Sequence, residues 1–460
     1  MRVIKDYPKS INDPGADRAG RLAALRVWEA EAQKSAAFSA GRPSGEINNH
    51  IHTIYSFSPY TPAMAALLAR DAGLAAAGSV DHDSIAAAEE MIEACSVLGI
   101  GGCVGFEVRV SFKTGADGRP GPFAGKKINN PDSAGFVYMT VQGIPRPAIQ
   151  AAADFLKPVR EGRLKRTREM AFAANAALWE AGMAEIDFER EIRGKSKYAE
   201  GGEITERHLL AALAEKCILK YGKGPELAEA LKAKLGIAVS PKIAALLADA
   251  ANPHYLYDLL GLLKSEFLPK IFIQPDEKEC IPAERVTAFA QSIAAIPAYA
   301  YLGDVKESPT GDKRAEKFED DFIGELFAEL SRLGYRAVTY MPPRNTPEQL
   351  ANLRRLSAEW DFMEISGVDI NSSRQSFNCP EVLRDEFRHL IDTTWALIAH
   401  ERIASIDKRY GLFSLENPLA GLSLAGRLAS YAAFGKRLDL SHPEDSAAGI
   451  AHEIEKGRII

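Results

Sequence analysis

Segments typical of buried β-strands alternate with helical segments in two separate parts of this chain. Apolar runs at residues 74–80 and 100–106 predict strands in the first part, and runs at 293–301, 337–341 and 362–369 predict strands in the second. Strands that alternate with helices usually pair in parallel, because each helix returns the chain to the edge where the previous strand began. The sequence therefore predicts an α/β fold around a parallel sheet.

Helical periodicity dominates the interval between these parts, and further helical stretches flank them, including one at residues 22–37. A chain of 460 residues exceeds what one core usually organises. We therefore predict an α/β unit with an insertion and two extensions. The predicted boundaries are 1–44 for an N-terminal helical extension, 45–145 and 285–385 for the two parts of the α/β unit, 146–284 for a helical insertion and 386–460 for a C-terminal helical extension.

Residues with metal-binding side chains fall at or just past the ends of the predicted strands. His50 and His52 are one residue apart, so in a strand both imidazoles point to the same side. His82 and Glu107 follow the next two predicted strands. Catalytic groups of parallel α/β folds lie at the carboxyl ends of strands, and neutral imidazole is the commonest ligand for zinc-like metals. This pattern predicts a metal site at that edge of the sheet.

The composition excludes several classes of protein. With 46% hydrophobic residues and a net charge of −6, the chain is typical of a soluble globular protein and lacks an electrostatic footprint for nucleic acid. No apolar run reaches membrane-spanning length, and the first residues lack a signal-peptide core. The five cysteines are scattered, which argues against disulfides and a cysteine zinc site. We expect a cytoplasmic protein with neither a membrane nor a nucleic acid as partner.

Short motifs follow one another in a distinctive order. His-Ile-His-Thr at 50–53, Asp-His-Asp at 81–83 and Gly-Phe-Glu at 105–107 precede Gly-Tyr-Arg-Ala-Val at 334–338, Asn-Thr-Pro-Glu-Gln at 345–349 and Gly-Val-Asp-Ile-Asn at 367–371. In this order the chain resembles the PHP (polymerase and histidinol phosphatase) superfamily over roughly 45–145 and 285–380. The resemblance implies a distorted (β/α)7 TIM-like barrel, with metals at the carboxyl ends of its strands and phosphoester hydrolysis as the usual activity.

Four positions at which relatives carry metal ligands hold poor ligands here. They are Phe57 (or Ser58), Tyr138, Tyr301 and Asn371. The ligands of one metal position in the family are matched by His50, His52, Glu107 and Asp369. The resemblance therefore implies one divalent metal, Zn, Mn or Fe, with a second, weak site at His82 as an option.

The same resemblance gives His82 no ligand role in this metal site, so His82 is available for catalysis. We predict that His82 acts as general acid or base or binds a substrate oxygen, and that Asp83 or Asp81 orients its imidazole. Further substrate contacts are predicted for Tyr138, His208, Tyr301, Arg344, Asn371 and Arg374. The basic run that contains Arg163, Arg166 and Arg168 is more typical of a solvated helix face.

These features predict a metal-dependent hydrolase of the PHP type, most plausibly a phosphoesterase that acts on a small phosphorylated molecule. Two alternatives stay open: amidohydrolase-like hydrolysis of a C–N bond, and a non-catalytic barrel that binds a metal or a ligand. Selective retention of one ligand set argues against the non-catalytic alternative. The oligomeric state cannot be read from the sequence.

Overall fold

The computed structural model describes residues 7–34, 44–115, 118–305 and 317–456. Its strands form one sheet in which spatial order follows chain order. They are β1 (Ile47–Ile51), β2 (Ala76–His82), β3 (Gly101–Ser111), β4 (Phe136–Gln142), β5 (Ile296–Ala300), β6 (Ala337–Tyr340) and β7 (Met363–Ser366). The predicted α/β class is confirmed.

Helices separate most of these strands. They are α1 (Arg18–Lys34), α2 (Pro62–Asp71), α3 (Ala88–Leu98), α4 (Ile149–Glu180), α5 (Glu206–Tyr221), α6 (Pro225–Leu235), α7 (Pro241–Ala248), α8 (Tyr255–Glu266), α9 (Leu268–Ile271), α10 (Ala283–Ser292), α11 (Ile323–Arg332), α12 (Pro347–Glu359), α13 (His389–Ile406), α14 (Leu424–Arg437) and α15 (Pro443–Glu455). None of the helices in the described ranges combines the length and the apolar character that crossing a membrane requires.

Local sequence signals account for several boundaries. Thr61 caps α2 by accepting a hydrogen bond from the backbone N–H of Met64, and Pro62 takes the first helical position. α1 occupies the region of the helix predicted at 22–37, but residues 35–37 lie outside the described residues. β3 is longer than predicted and runs to Ser111, so Glu107 lies inside this strand and not past its end.

The sheet is not parallel throughout, which corrects the prediction. β4 pairs antiparallel with both β3 and β5, whereas the other neighbouring strands pair in parallel. The connection from β3 to β4 contains no helix among its described residues, and without a crossover the chain returns antiparallel. Gly105 permits this pairing, because a Cβ atom there would lie 2.3 Å from the carbonyl oxygen of Val141.

The sheet almost closes on itself between β1 and the segment after β7. The backbone N–H of His52 donates to the carbonyl of Ile370 at 2.9 Å, and that of Ile370 donates to the carbonyl of His50 at 3.1 Å. Gly367 allows this approach, since a Cβ atom there would lie 2.5 Å from the Cβ of His50. The closure brings the histidine strand beside the segment that carries Asp369.

Two clusters of buried apolar residues stabilise the molecule. One fills the sheet and the helices packed on it, and the other lies among the helices between β4 and β5. α4 belongs to both, because Leu156 packs in the first cluster and Met170 in the second. This 32-residue helix therefore joins the helical segment to the sheet.

Candidate metal centre

Three side chains converge where β1, β2 and β3 lie side by side. The ligand atoms of His50, His52 and Glu107 all lie within 4.8 Å of one another. Nε2 of His52 is 3.7 Å from Oε2 of Glu107, and Nε2 of His50 is 3.9 Å from the same oxygen. Since all three side chains are almost fully buried, they form a compact set of metal-binding atoms.

Asp369 lies at the edge of this set. Its Oδ1 is 3.3 Å from Nε2 of His52 and also accepts a hydrogen bond from the Asn371 amide at 2.7 Å. Asp369 is more exposed than the other three predicted ligands. The structure thus brings the four predicted ligands to one place, with Asp369 on the solvent side.

Hydrogen bonds indicate the tautomer of His52. The single hydroxyl hydrogen of Ser56 is donated to Oδ1 of Asp81 at 2.5 Å, so the Ser56 oxygen accepts from Nδ1 of His52 at 3.2 Å. Nδ1 therefore carries the proton, and Nε2 presents a lone pair. Burial lowers the pKa of His52 to about 3, so this imidazole is neutral at neutral pH.

The lone pair of His52 has no protein donor. Nε2 is buried without a hydrogen-bond partner among the described residues. It faces the carboxylate oxygens of Asp369 and Glu107, so three electron-pair donors point at one another. Such an arrangement is costly unless a cation occupies the centre, and the donor set fits Zn, Mn or Fe.

The ring of His82 contacts the candidate metal centre directly. Its Nδ1 is 2.9 Å from Oε2 of Glu107, and its ring centroid is 4.4 Å from that of His52. Burial, followed by the positive charge of Arg163, lowers the pKa of His82 to about 3. An Nδ1 atom this close to a carboxylate oxygen favours the neutral tautomer with the proton on Nδ1, which leaves the Nε2 lone pair available.

Neither aspartate beside His82 forms the predicted contact with its ring. Asp81 accepts from the backbone N–H and the hydroxyl of Thr53, both at 2.6 Å, and from Ser56. Asp83 pairs with Arg163 at 2.6 Å. Asp81 therefore holds the loop at residues 53–56 and, through Ser56, orients His52. Asp83 instead connects the end of β2 to α4.

Two of the arginines that we expected on a solvated helix face are buried. Arg163 and Arg166 are 3% and 5% exposed, whereas Arg168 lies at the surface. The positions of Arg163 and Arg166 continue the buried stripe of α4 through Leu156, Val159 and Met170. This helical spacing was the signal in the sequence that separates them from Arg168.

Asn371 and His208, both predicted to bind substrate, have defined roles in the structure. Asn371 donates to Asp369. Nδ1 of His208 accepts the backbone N–H of Thr205 at 3.0 Å, so Nε2 carries the proton of the neutral ring. Burial lowers the pKa of His208 to about 3. Its ring packs edge-on against Phe57, with centroids 4.9 Å apart.

Three other predicted substrate-binding residues are engaged elsewhere in the protein. Tyr301 is buried and donates its hydroxyl to Asp320 at 2.6 Å. Nε of Arg344 donates to the carbonyl of Leu302 at 3.0 Å. Arg374 forms an ion pair with Asp258. These contacts hold loops in place. Tyr138, by contrast, lies beside the centre, with its ring centroid 6.1 Å from that of His82.

Arg207 is the residue near the centre that the sequence did not single out. Its Nη1 donates to the backbone carbonyl of Asn371 at 2.8 Å. The side chain of Asn371 in turn donates to Asp369, so Arg207 lies close to the exposed side of the centre. Within the described part of the chain, no carboxylate lies at ion-pair distance from Arg207, whereas Arg163, Arg166 and Arg374 each have at least one.

Comparisons with known proteins give distant similarity only. No family model matches this chain, and no curated protein matches it. A solved structure of an amidohydrolase from Chromobacterium violaceum, with bound sulfate and no metal, is 19% identical, with a TM-score of 0.46 over 75% of this chain and 95% of that chain. A protein from Bifidobacterium adolescentis, described as a metal-dependent phosphoesterase, is 19% identical, with a TM-score of 0.47 over 77% of this chain and 98% of that chain. What this chain does has to be inferred from its own residues.

Replacing Ser56 with Ala tests whether the Asp81–Ser56–His52 chain prepares a metal ligand. Without the Ser56 hydroxyl, the His52 ring loses the acceptor that holds its Nδ1 proton. We expect Ser56→Ala to weaken zinc binding roughly 10- to 100-fold in competition titrations. Ser58→Ala is the matched control, because the buried Ser58 hydroxyl has no hydrogen-bond partner among the described residues. Equal zinc affinities for the two variants would contradict the assignment.

Proposed function

We propose that this chain is a metal-dependent hydrolase of the PHP type, built on the distorted (β/α)7 barrel of that superfamily, and that it hydrolyses a phosphoester of a small molecule. In this proposal His50, His52, Glu107 and Asp369 hold one divalent cation. The support for the cation is the buried lone pair of His52, which faces carboxylate oxygens and has no donor among the described residues.

The observation that carries the phosphoester proposal is the guanidinium of Arg207. This group is held by the backbone carbonyl of Asn371, whose side chain donates to Asp369, and no carboxylate in the described ranges lies at ion-pair distance from it. A guanidinium binds phosphate or carboxylate through two parallel N–H donors. An arginine left without such a partner at the mouth of a metal centre favours an anionic substrate.

The proposed chemistry divides among few residues. When bound, a divalent cation acts as a Lewis acid and makes water nucleophilic at neutral pH. Arg207 binds a phosphoryl oxygen, and Nε2–H of His208 donates to a second substrate oxygen. The Nε2 lone pair of His82 accepts the proton of the attacking water and returns it to the leaving group. Phe57 packs edge-on against the ring of His208.

The proposed partner is a small molecule. Arg163 and Arg166 are buried and paired with carboxylates, so they form no basic surface for a nucleic acid. The second candidate function is hydrolysis of a C–N bond in a substrate that carries a carboxylate, because a carboxylate would also satisfy Arg207. A non-catalytic barrel is the third outcome that an assay must distinguish.

Metal analysis of the purified protein, combined with a screen of phosphomonoesters, phosphodiesters and carboxylate-bearing amides, tests the proposal. We expect about one equivalent of Zn, Mn or Fe, together with turnover of a phosphoester that a chelator abolishes. Turnover of amides alone would favour the second candidate. Bound metal without any turnover would favour a binding protein, and three equivalents would contradict the ligand assignment.

Replacing His82 with Ala separates proton transfer from metal binding. Because His82 Nδ1 contacts Glu107 while its Nε2 is available, we expect kcat to fall roughly 10²- to 10⁴-fold with metal content unchanged. His442→Ala, at an exposed histidine, is the control for loss of an imidazole. Turnover equal to that of the control would remove the proposed role of His82, and lost metal would make His82 a ligand.

Replacing Arg207 with Gln tests the phosphate contact. The glutamine amide keeps polarity but removes the positive charge, so we expect KM for a phosphoester and Kd for inorganic phosphate to rise roughly 10- to 100-fold. Arg190→Gln, at a surface arginine in the same helical segment, controls for a general loss of charge. If both variants bind phosphate like the unmodified protein, the anionic-substrate argument fails.

A further inference from the structure

A buried ionic cluster lies next to the candidate metal centre. Its guanidinium groups come from Arg109, Arg163 and Arg166, and its carboxylates from Asp83, Glu206 and Glu279. The three positive and three negative charges balance. The cluster joins β3, α4, the first residue of α5 and the residue after β2, so it connects the sheet with the helical segment.

Arg163 binds one residue on each side of this junction. Its Nη1 donates to Oδ2 of Asp83 at 2.6 Å, and its Nη2 donates to Oε2 of Glu206 at 2.7 Å. Asp83 directly follows His82, and Glu206 directly precedes Arg207. The guanidinium of Arg163 therefore bridges the neighbour of His82, the proposed base, and the neighbour of Arg207, the proposed phosphate ligand.

The Asp83 end of this connection is itself constrained. Asp83 has a φ of +49°, in the left-handed region that residues with a side chain rarely adopt. Its backbone N–H donates to the carbonyl of Glu107 at 2.7 Å. The carboxylate of Asp83 is thus tied to α4, while its backbone is tied to the strand that carries Glu107.

The Glu206 end is constrained by the start of α5. Thr205 and His208 form a capping box there, so Glu206 and Arg207 occupy the first turn of an ordered helix. Arg166 also donates to Glu206, at 2.5 Å. The position of the Arg207 backbone therefore depends on how Glu206 is held.

We infer that Arg163 is a positioning residue, which fixes the distance between His82, on the sheet, and Arg207, on the helical segment. This inference rests on the proposed function. A buried ionic cluster is a weak source of stability, because desolvation opposes the attraction between its charges. A planar fork with two bound carboxylates instead fixes geometry, and a lysine cannot reproduce it. Small displacements of catalytic groups have large effects on rate.

Two near-isosteric variants distinguish the two ends of Arg163, and a lysine substitution removes both. Asp83→Asn loosens the end next to His82, and we expect kcat to fall roughly 10- to 100-fold with KM unchanged. Glu206→Gln loosens the end next to Arg207, and we expect KM and the Kd of inorganic phosphate to rise about tenfold with kcat unchanged. Arg163→Lys should produce both effects. Asn tolerates the left-handed backbone of position 83, so this variant is expected to fold.

Arg21→Lys is the matched control for a buried arginine. Arg21 is fully buried and binds both oxygens of Glu90, at 2.9 and 2.6 Å, and this pair joins α1 to α3. Since neither Arg21 nor Glu90 belongs to the candidate centre or to the ionic cluster, we expect this variant to melt at a lower temperature than the unmodified protein and to keep its kcat and KM. Kinetic measurements at a temperature well below all melting transitions separate stability from positioning.

The outcomes separate the inference from the function on which it rests. If the unmodified protein turns over a phosphoester, but Asp83→Asn, Glu206→Gln and Arg163→Lys keep its kinetics as Arg21→Lys does, the cluster is only structural and the inference is wrong. If kcat and KM change together in all three variants, without the split, positioning of two separate residues is also contradicted. An unmodified protein that neither hydrolyses nor binds phosphate contradicts the proposed function, and the inference falls with it.

Discussion

The candidate metal centre depends on one buried carboxylate oxygen, Oε2 of Glu107. Nδ1 of His82 lies 2.9 Å from it, and the Nε2 atoms of His52 and His50 lie at 3.7 and 3.9 Å. Electron-pair donors are gathered at such distances in a buried place only when protons or a cation satisfy them. The register of β2 and β3, in which His82 pairs with Glu107, fixes this arrangement.

Near-closure of the sheet supplies the remaining side of the centre. Hydrogen bonds of His52 and His50 with Ile370 hold β1 against the segment after β7, and this places Asp369 beside His52. Gly367 makes the approach sterically feasible. The same contacts therefore complete the sheet and the ligand set, so a change that opens the sheet at this point would also separate the ligands.

Structural features that depend on residues close together in the chain could be predicted from local sequence patterns. The Thr61-Pro62 pair is typical of a helix start and opens α2, and the order of the strands brought His50, His52 and Glu107 together as expected. The antiparallel direction of β4 was missed, because it depends on a connection without a helix and not on the strand itself. The partner of Asp83 was missed as well, since Arg163 is 80 residues away and charge alone suggested that it was solvated.

The helical segment contributes to the centre because α4 packs in both apolar clusters. Leu156 anchors it to the sheet and Met170 to the other helices, while Arg163 lies between them and is buried. A helix anchored at both ends cannot shift at its middle without disturbing a core. Asp83 and Glu206 are therefore both held by the same rigid helix, through Arg163. Under the proposed function, this arrangement would keep His82 and Arg207, which come from distant parts of the chain, in one fixed geometry.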